Sequence, residues 1–211
     1  MPSPESGSTT RDASFEEFKK VSKELDTESD RGCILIGASL LSNCLESLLR
    51  AALSTTPHAV KHAISPLFDS MGPLATFSAK IKLVYALGLI DQDRFTDLEK
   101  IRRIRNIAAH DYSPLSFESQ EIIDIACTLQ SANNAAQALL DRKVHEEPLP
   151  DSAKSQADGD KPQAKMSKER IRFTMTVSWI AGYLTGYLES FLILGSSKLR
   201  NLLLFKTERP T

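Results

Sequence analysis

Apolar residues along this chain recur at three- and four-residue spacing, and runs that alternate with a period of two are nearly absent, so the pattern predicts helices and no sheet. Proline supplies the punctuation: Pro57, Pro66, Pro73, Pro114, Pro148, Pro150 and Pro162 leave long proline-free stretches between them. Ser14 with Glu17 reads as a capping box, followed by Phe15, Phe18, Val21 and Leu25 as the inward stripe of a first helix ending near Ser29. Asp30 is placed to cap a second helix over 31–53. There Ile34, Leu35, Ala38, Leu41, Leu45, Leu48, Leu49 and Ala52 cover most of the circumference, as in a central buried helix. Thr56 before Pro57 starts a short helix through His58 and Ile64 to Pro66. Thr76 caps a helix of about three turns carrying Phe77, Ile81, Leu83, Val84 and Leu87, with Gly88 in the left-handed terminating position. Asp91 opens the next helix, whose stripe is Leu98, Ile101, Ile104 and Ala108 and which must stop before Pro114.

A further helix is predicted from about Ser119 to Arg142, with Ile122, Ile125, Ala126, Leu129, Ala132, Ala136 and Leu139 at helical spacing. Residues 143–165 turn polar, with three prolines and little to bury, and read as a flexible linker. Beyond it a helix from Lys168 to about Leu194 carries Phe173, Val177, Ile180, Leu184, Leu188 and Phe191, a face that must pack on the core or on another subunit. Leu202, Leu203, Leu204 and Phe205 add a second apolar cluster. The expected organisation is a disordered tail over 1–13, a helical core over 14–142, the linker, and a C-terminal helical element over 166–211. The fold class is all-α: a multi-helix bundle with an additional C-terminal helix.

Composition narrows the chemistry. At 211 residues, 41% apolar and 25% charged, the chain has the make-up of an ordinary globular domain, and its net charge of −1 gives no bulk attraction to nucleic acid or an anionic membrane. Met1 to Ala13 lacks the apolar stretch of a secretory signal. Phe173 to Leu194 is long enough for a membrane span, but Thr174, Ser178, Thr185 and Glu189 recur on one side of it, so a soluble, cytoplasmic protein is expected. Cys33, Cys44 and Cys127 lie far apart in apolar segments and read as buried free thiols. Neither phosphate-loop nor dinucleotide glycine patterns occur, nor zinc spacings, and no cofactor or metal is expected. His58 and His62 share a helix face without a third ligand, which suits surface histidines. Lys100, Arg102, Arg103 and Arg105 spread around their helix and make a poor phosphate track. With Asp91, Asp93, Asp97 and Glu99 before them they complement the helix dipole, and Glu99 with Arg103 forms an i, i+4 pair. Direct, sequence-specific DNA binding is therefore not expected.

The segment R-N-I-A-A-H, Arg105 to His110, puts a polar trio into an apolar pattern. On a regular helix Asn106 and His110 share a face with Arg102, while Arg105 points elsewhere. The spacing resembles the R-x(4–6)-H motif of HEPN domains, helical bundles whose nuclease members cut single-stranded RNA without metal. That resemblance implies a HEPN-like core in which His110 moves protons at the ribose and Arg105, beside Asn106, stabilises charge on the phosphate, with two copies facing across a dimer cleft. Glu46 on the central helix is placed either to orient the arginine or to neutralise it in a buried pair.

The wider sequence resembles the mannitol operon repressor (MtlR) family. The resemblance is carried by Asp30-Arg31-Gly32-Cys33, Leu45-Glu46, Pro73-Leu74, Phe77 through Leu83, Ala86 through Ile90, Ile101 through His110 and Leu115-Ser116-Phe117, over roughly Asp30 to Leu140. It implies a repressor without a recognisable DNA-binding domain, acting through an unidentified protein partner and as a homo-oligomer, a dimer, with Arg105, Asn106 and His110 tying helix ends together. The alternative from the shorter motif is a metal-independent ribonuclease or toxin, for which RNA would be the substrate. A third use, small-ligand sensing in a pocket between helices, has no positive pointer in the sequence; Tyr85 and Tyr112 read as core or rim packing.

Overall fold

The computed structural model describes residues 6–53, 57–110, 115–132 and 166–194, and among them every regular element is helical. The linker, the Leu-rich tail, Tyr112 and Phe191's side chain lie outside the described residues. Helix α1 spans Ser6–Asp26 and α2 spans Asp30–Leu53. The expected start at Ser14 is corrected. With Pro4 the last proline before it, nothing blocks the backbone upstream of Ser14, and the helix runs back into the segment expected to be a disordered tail. Phe15, expected inside, is 56% exposed, whereas Val21 and Leu25 are buried.

The sharp turn from α1 to α2 is made by Ser29, whose hydroxyl accepts the Gly32 amide at 3.1 Å and whose carbonyl accepts Cys33's. Asp30, the expected cap, has another task. Its carboxylate accepts the Phe117 amide at 3.0 Å and pairs with Arg170 at 2.6 Å. The segment 57–67 is helical throughout, as α3 (Pro57–Ala59), a π turn (Val60–Ile64) and α4 (Ser65–Leu67). Pro66 has no amide to give His62, and the widened turn, with the Ser65 amide reaching back to Val60, accommodates that gap. Helix α5 (Phe77–Ala86) starts at Thr76, whose hydroxyl accepts the Ala79 amide at 3.2 Å, and is closed by Gly88 at φ 67°. Helix α6 (Gln92–His110) is opened by Asp91, which accepts the Arg94 amide.

Helix α7 covers Gln120–Ala126 and stops there, with 127–132 outside any helix, where the apolar spacing had suggested a run over 119–142; the last ten residues of that run, 133–142, lie outside the described residues. The cause lies on α6. Asp97, fully buried, accepts the amides of Gln130 and Ser131 at 2.6–3.1 Å, while Lys100 and Arg172 take the carbonyls of Thr128 and Cys127, and these bonds replace the ladder of a continuing helix. Asp97 is thus a buried acceptor and not only a dipole-complementing charge.

Helix α8 (Lys168–Leu194) packs on α1 and α2 of its own chain, with Phe173, Val177, Ile180 and Leu184 in the core. Thr174 and Ser178, expected on a polar face, are buried as well. At Gly182 the backbone of α1 comes so close that a Cβ would stand 2.6 Å from the Ser14 carbonyl oxygen, so any side chain there would push α1 and α8 apart. Helix α2 is long and apolar enough to cross a membrane by composition, and here it is the central helix of the bundle, with Cys33, Ile34, Leu41, Leu45, Leu48 and Leu49 buried.

Replacing Asp97 by Ala is expected to lower stability by about 3 kcal/mol, because two amides and Lys100 lose their acceptor, and Asn should cost less. Urea denaturation reads both as a shifted midpoint at unchanged slope. Losses below ~0.5 kcal/mol for both variants would contradict the role assigned to this carboxylate.

Candidate functional site

Helix α6 crosses α2 and the start of α5, and the three enclose a cleft of about 470 Å³. One wall carries Arg102, Arg105 and Asn106; the facing wall of α2 carries Ser39, Ser42 and Asn43; the first turn of α5 closes one end with Thr76, Phe77 and Ser78. Arg105 and Asn106 lie three and four residues after Arg102, each one turn on from it, and all three line the cleft; Arg105, expected to point elsewhere, reaches it beside Asn106. Its Nη1 donates to Asn106 Oδ1 at 3.3 Å. Arg102 is held by two hydrogen bonds to Glu99 Oε2, at 3.0 and 2.8 Å, so the expected Glu99 to Arg103 pair is replaced by an i, i+3 pair.

His110 is exposed at the end of α6, one turn past Asn106, and does not line the cleft. The structure brings together Arg105 and Asn106 and leaves His110 outside. The last turn of α6 is held by Arg31, which donates to the Ala108 carbonyl. Glu46 is not turned to Arg105. It accepts from Lys80 Nζ at 2.6 Å and from Arg50 Nε at 2.9 Å, and Lys80 reaches Ser42 as well, at 3.3 Å. Burial pushes the Glu46 carboxyl up, but the hydrogen bonds and charges of Lys80 and Arg50 outweigh it and hold the group below the ordinary carboxylate range. Lys80, 5% exposed, is the residue sequence reasoning missed. Its signal was its position: three after Phe77 and four before Val84, it falls on the inward face of α5.

A second concave surface runs between α1 and α8. Phe15, Phe18, Trp179, Tyr183 and Tyr187 line an apolar groove of about 500 Å³, with Gly182, Gly186 and Ser190 along its floor. Trp179 is 45% exposed, its ring edge-on to Phe18 at 6.4 Å, and the Arg94 guanidinium lies over Tyr183 at 3.9 Å. Tyr85 stacks on Phe95 at the rim of the fold. All three cysteines are free, but only Cys33 is fully buried, and Cys127 is exposed, against expectation. Burial pushes the Cys33 and Cys44 thiols up to about 11, which argues against either as a nucleophile. His58 and His62 are exposed with their rings 4.5 Å apart.

Comparison with known proteins places these features in a family context. The mannitol repressor family matches residues 19–181. Mannitol operon repressors from two strains of Escherichia coli are each 31% identical over 93 residues, 44% of this chain and 48% of theirs. The aligned segment thus spans about half the length of the curated relatives it matches. Among solved structures, the MtlR–HPr complex from Escherichia coli superposes with a TM-score of 0.55 at 20% identity, over 82% of this chain and 98% of that one. A possible transcriptional regulator from Shigella flexneri gives 0.55 at 18% identity, over 82% and 97%. At these identities the likeness establishes a shared fold.

Substituting Glu46 by Gln is expected to destabilise the fold by about 2 kcal/mol at neutral pH, because Lys80 stays buried without its counter-charge. A carboxyl depressed in the folded state contributes stability above its unfolded value and loses it as pH falls through the folded one. The gap between wild type and variant should therefore hold at neutral pH and close as pH falls through and below the ordinary carboxylate range. Denaturation at a series of pH values checks this; a gap unchanged down to pH ~3 would contradict it.

Proposed function

We propose that this chain, which belongs to the mannitol repressor family, is a cytoplasmic transcriptional regulator that works by docking a protein partner and not by reading DNA itself. The observation that carries the reading is the family match over most of the chain, joined to a shared fold with an MtlR found in complex with HPr. We extend that partner to this chain: an HPr protein is the ligand we assign to it. The charge pattern supports the absence of a DNA-reading face. Along α6, Arg94 pairs with Asp91, Lys100 with Asp97 and Arg102 with Glu99, so carboxylates interrupt any track a phosphate backbone could follow.

For the docking surface we assign the aromatic groove between α1 and α8. Exposed Phe15 and Trp179 beside Tyr183 and Tyr187 form the aromatic cluster typical of interface anchors, and most of the other large apolar side chains among the described residues are buried. A homodimer remains part of the proposal, to be measured by light scattering with and without the partner. The ribonuclease reading has less support. It needs Arg105 and His110 at one site, yet the cleft of one chain holds the arginine without the histidine, and Glu46 is bound to Lys80 and Arg50.

Titration calorimetry with the HPr of the same organism should show binding that Trp179→Ala weakens at least ~10-fold, about 1.4 kcal/mol. Operator DNA should not be shifted by the protein alone, and single-stranded RNA in chelator should gain no 2′,3′-cyclic phosphate ends. Failure to bind HPr up to ~100 μM, or a sequence-specific DNA shift, would sink the reading.

A further inference from the structure

The cleft between α2, α5 and α6 plays no part in partner docking as proposed, and its chemistry points elsewhere. Its lining contains two arginines, two asparagines, three serines and a threonine, and no carboxylate. Cations in or beside the core are matched within the fold: Lys80 and Arg50 share Glu46, Arg170 holds Asp30, Arg94 holds Asp91. Arg102 is half-satisfied by Glu99. Arg105 has no carboxylate among the described residues, and its partner is the neutral amide oxygen of Asn106. A guanidinium facing a concave surface with only a neutral partner keeps its donors for an anion.

We propose that this cleft binds a small phosphomonoester bearing several hydroxyl groups, such as a sugar phosphate. Arg105 and Arg102 grip the phosphate from α6. The amides of Phe77 and Ser78, which have no acceptor among the described residues, add donors from the first turn of α5, while Thr76 takes Ala79's amide. The hydroxylated body faces the α2 wall. Ser39 Oγ donates to the Leu35 carbonyl and keeps its lone pairs for a ligand hydroxyl, and exposed Asn43 offers both donor and acceptor. Phe77 supplies an apolar flank. A volume of about 470 Å³ lies within the ~300–1,000 Å³ of small-molecule sites. A nucleic-acid strand fits less well, because Glu99 interrupts the cationic surface on one side and only one aromatic ring is on hand for stacking.

Calorimetry on the full chain at low salt, with no partner protein present, tests the proposal separately from the docking reading. The probes are glucose 6-phosphate, ribose 5-phosphate, glycerol 3-phosphate, glucose, inorganic phosphate and a short single-stranded RNA. At least one phosphorylated probe should bind more tightly than both inorganic phosphate and glucose. Arg105→Ala should weaken it ~10-fold or more, a charged hydrogen-bond pair's worth, and Asn43→Ala should weaken the ester while leaving inorganic phosphate unchanged. Arg103→Ala, on the same helix but outside the lining, should have no effect; both arginines are exposed, so each variant folds. Three results would overturn the proposal. None of the phosphate esters binds; or Arg103→Ala weakens binding as much as Arg105→Ala, which is diffuse charge; or RNA binds more tightly than every ester with the same Arg105 dependence.

Discussion

The fold converges on one ion pair. Arg170, at the start of α8, gives one arm of its guanidinium to Asp30 and the other to the carbonyls of Leu25, Asp26 and Glu28, at the end of α1 and in the turn after it. Asp30 in turn takes the amide of Phe117, at the entry to α7. Four segments therefore meet at two side chains, and the turn between α1 and α2, which contains few apolar groups of its own, is held by charge-assisted hydrogen bonds at a partly buried position. The apolar packing that follows depends on this alignment: with the end of α1 and the start of α2 fixed against Arg170, Phe173 and Val177 come to lie against α2 and Phe173 meets Phe117 ring to ring at 5.3 Å.

The same matching of charges shapes the surface. Glu46, Asp97 and Asp30 each collect one or more cations or amides, so the buried ionic groups are largely satisfied from within. Two surfaces stand apart from that core matching. On α6, Arg105 beside Asn106 faces a cleft with no carboxylate in its lining; between α1 and α8 a row of aromatic rings lines a groove with no helix over it among the described residues. One surface is complementary to an anionic small molecule, as proposed above, and the other to an apolar protein face. Both surfaces stand on one bundle, the cleft against α2 and the groove against α8.

Helices with strong local signals were legible in the residues. Thr76 and Gly88 bracket α5 where the cap and the left-handed glycine place them, Asp91 opens α6, and α8 has the boundaries its apolar spacing gives. The errors arose where a distant side chain decides. Nothing within 119–142 says that Asp97 will capture the amides of Gln130 and Ser131, so the apolar period promised a helix that the tertiary contact ends at Ala126. Asp30 has the identity of a cap, but the cap is its neighbour Ser29, because Arg170, 140 residues away, claims the carboxylate. For the site, periodicity located Arg105 and Asn106 on one short stretch. It could not tell that Lys80 would occupy Glu46, nor that Ser39 and Asn43 would stand across from them, since both facts depend on how α2, α5 and α6 are stacked.

Helix α8 completes the core from the far end of the sequence. Its residues Phe173 to Leu184 fill the seam between α1 and α2, helices that are adjacent in the chain and largely joined through it. As the chain leaves the ribosome, α1 and α2 emerge first with that seam uncovered, and more than a hundred residues of synthesis separate Asp30 from the arginine that anchors it. Closure is therefore a late, long-loop event, slow by topology and exposed to aggregation until it happens. The waiting time is built into the order of the helices, and a nascent chain paused before α8 would present the apolar face that α8 later covers to chaperones.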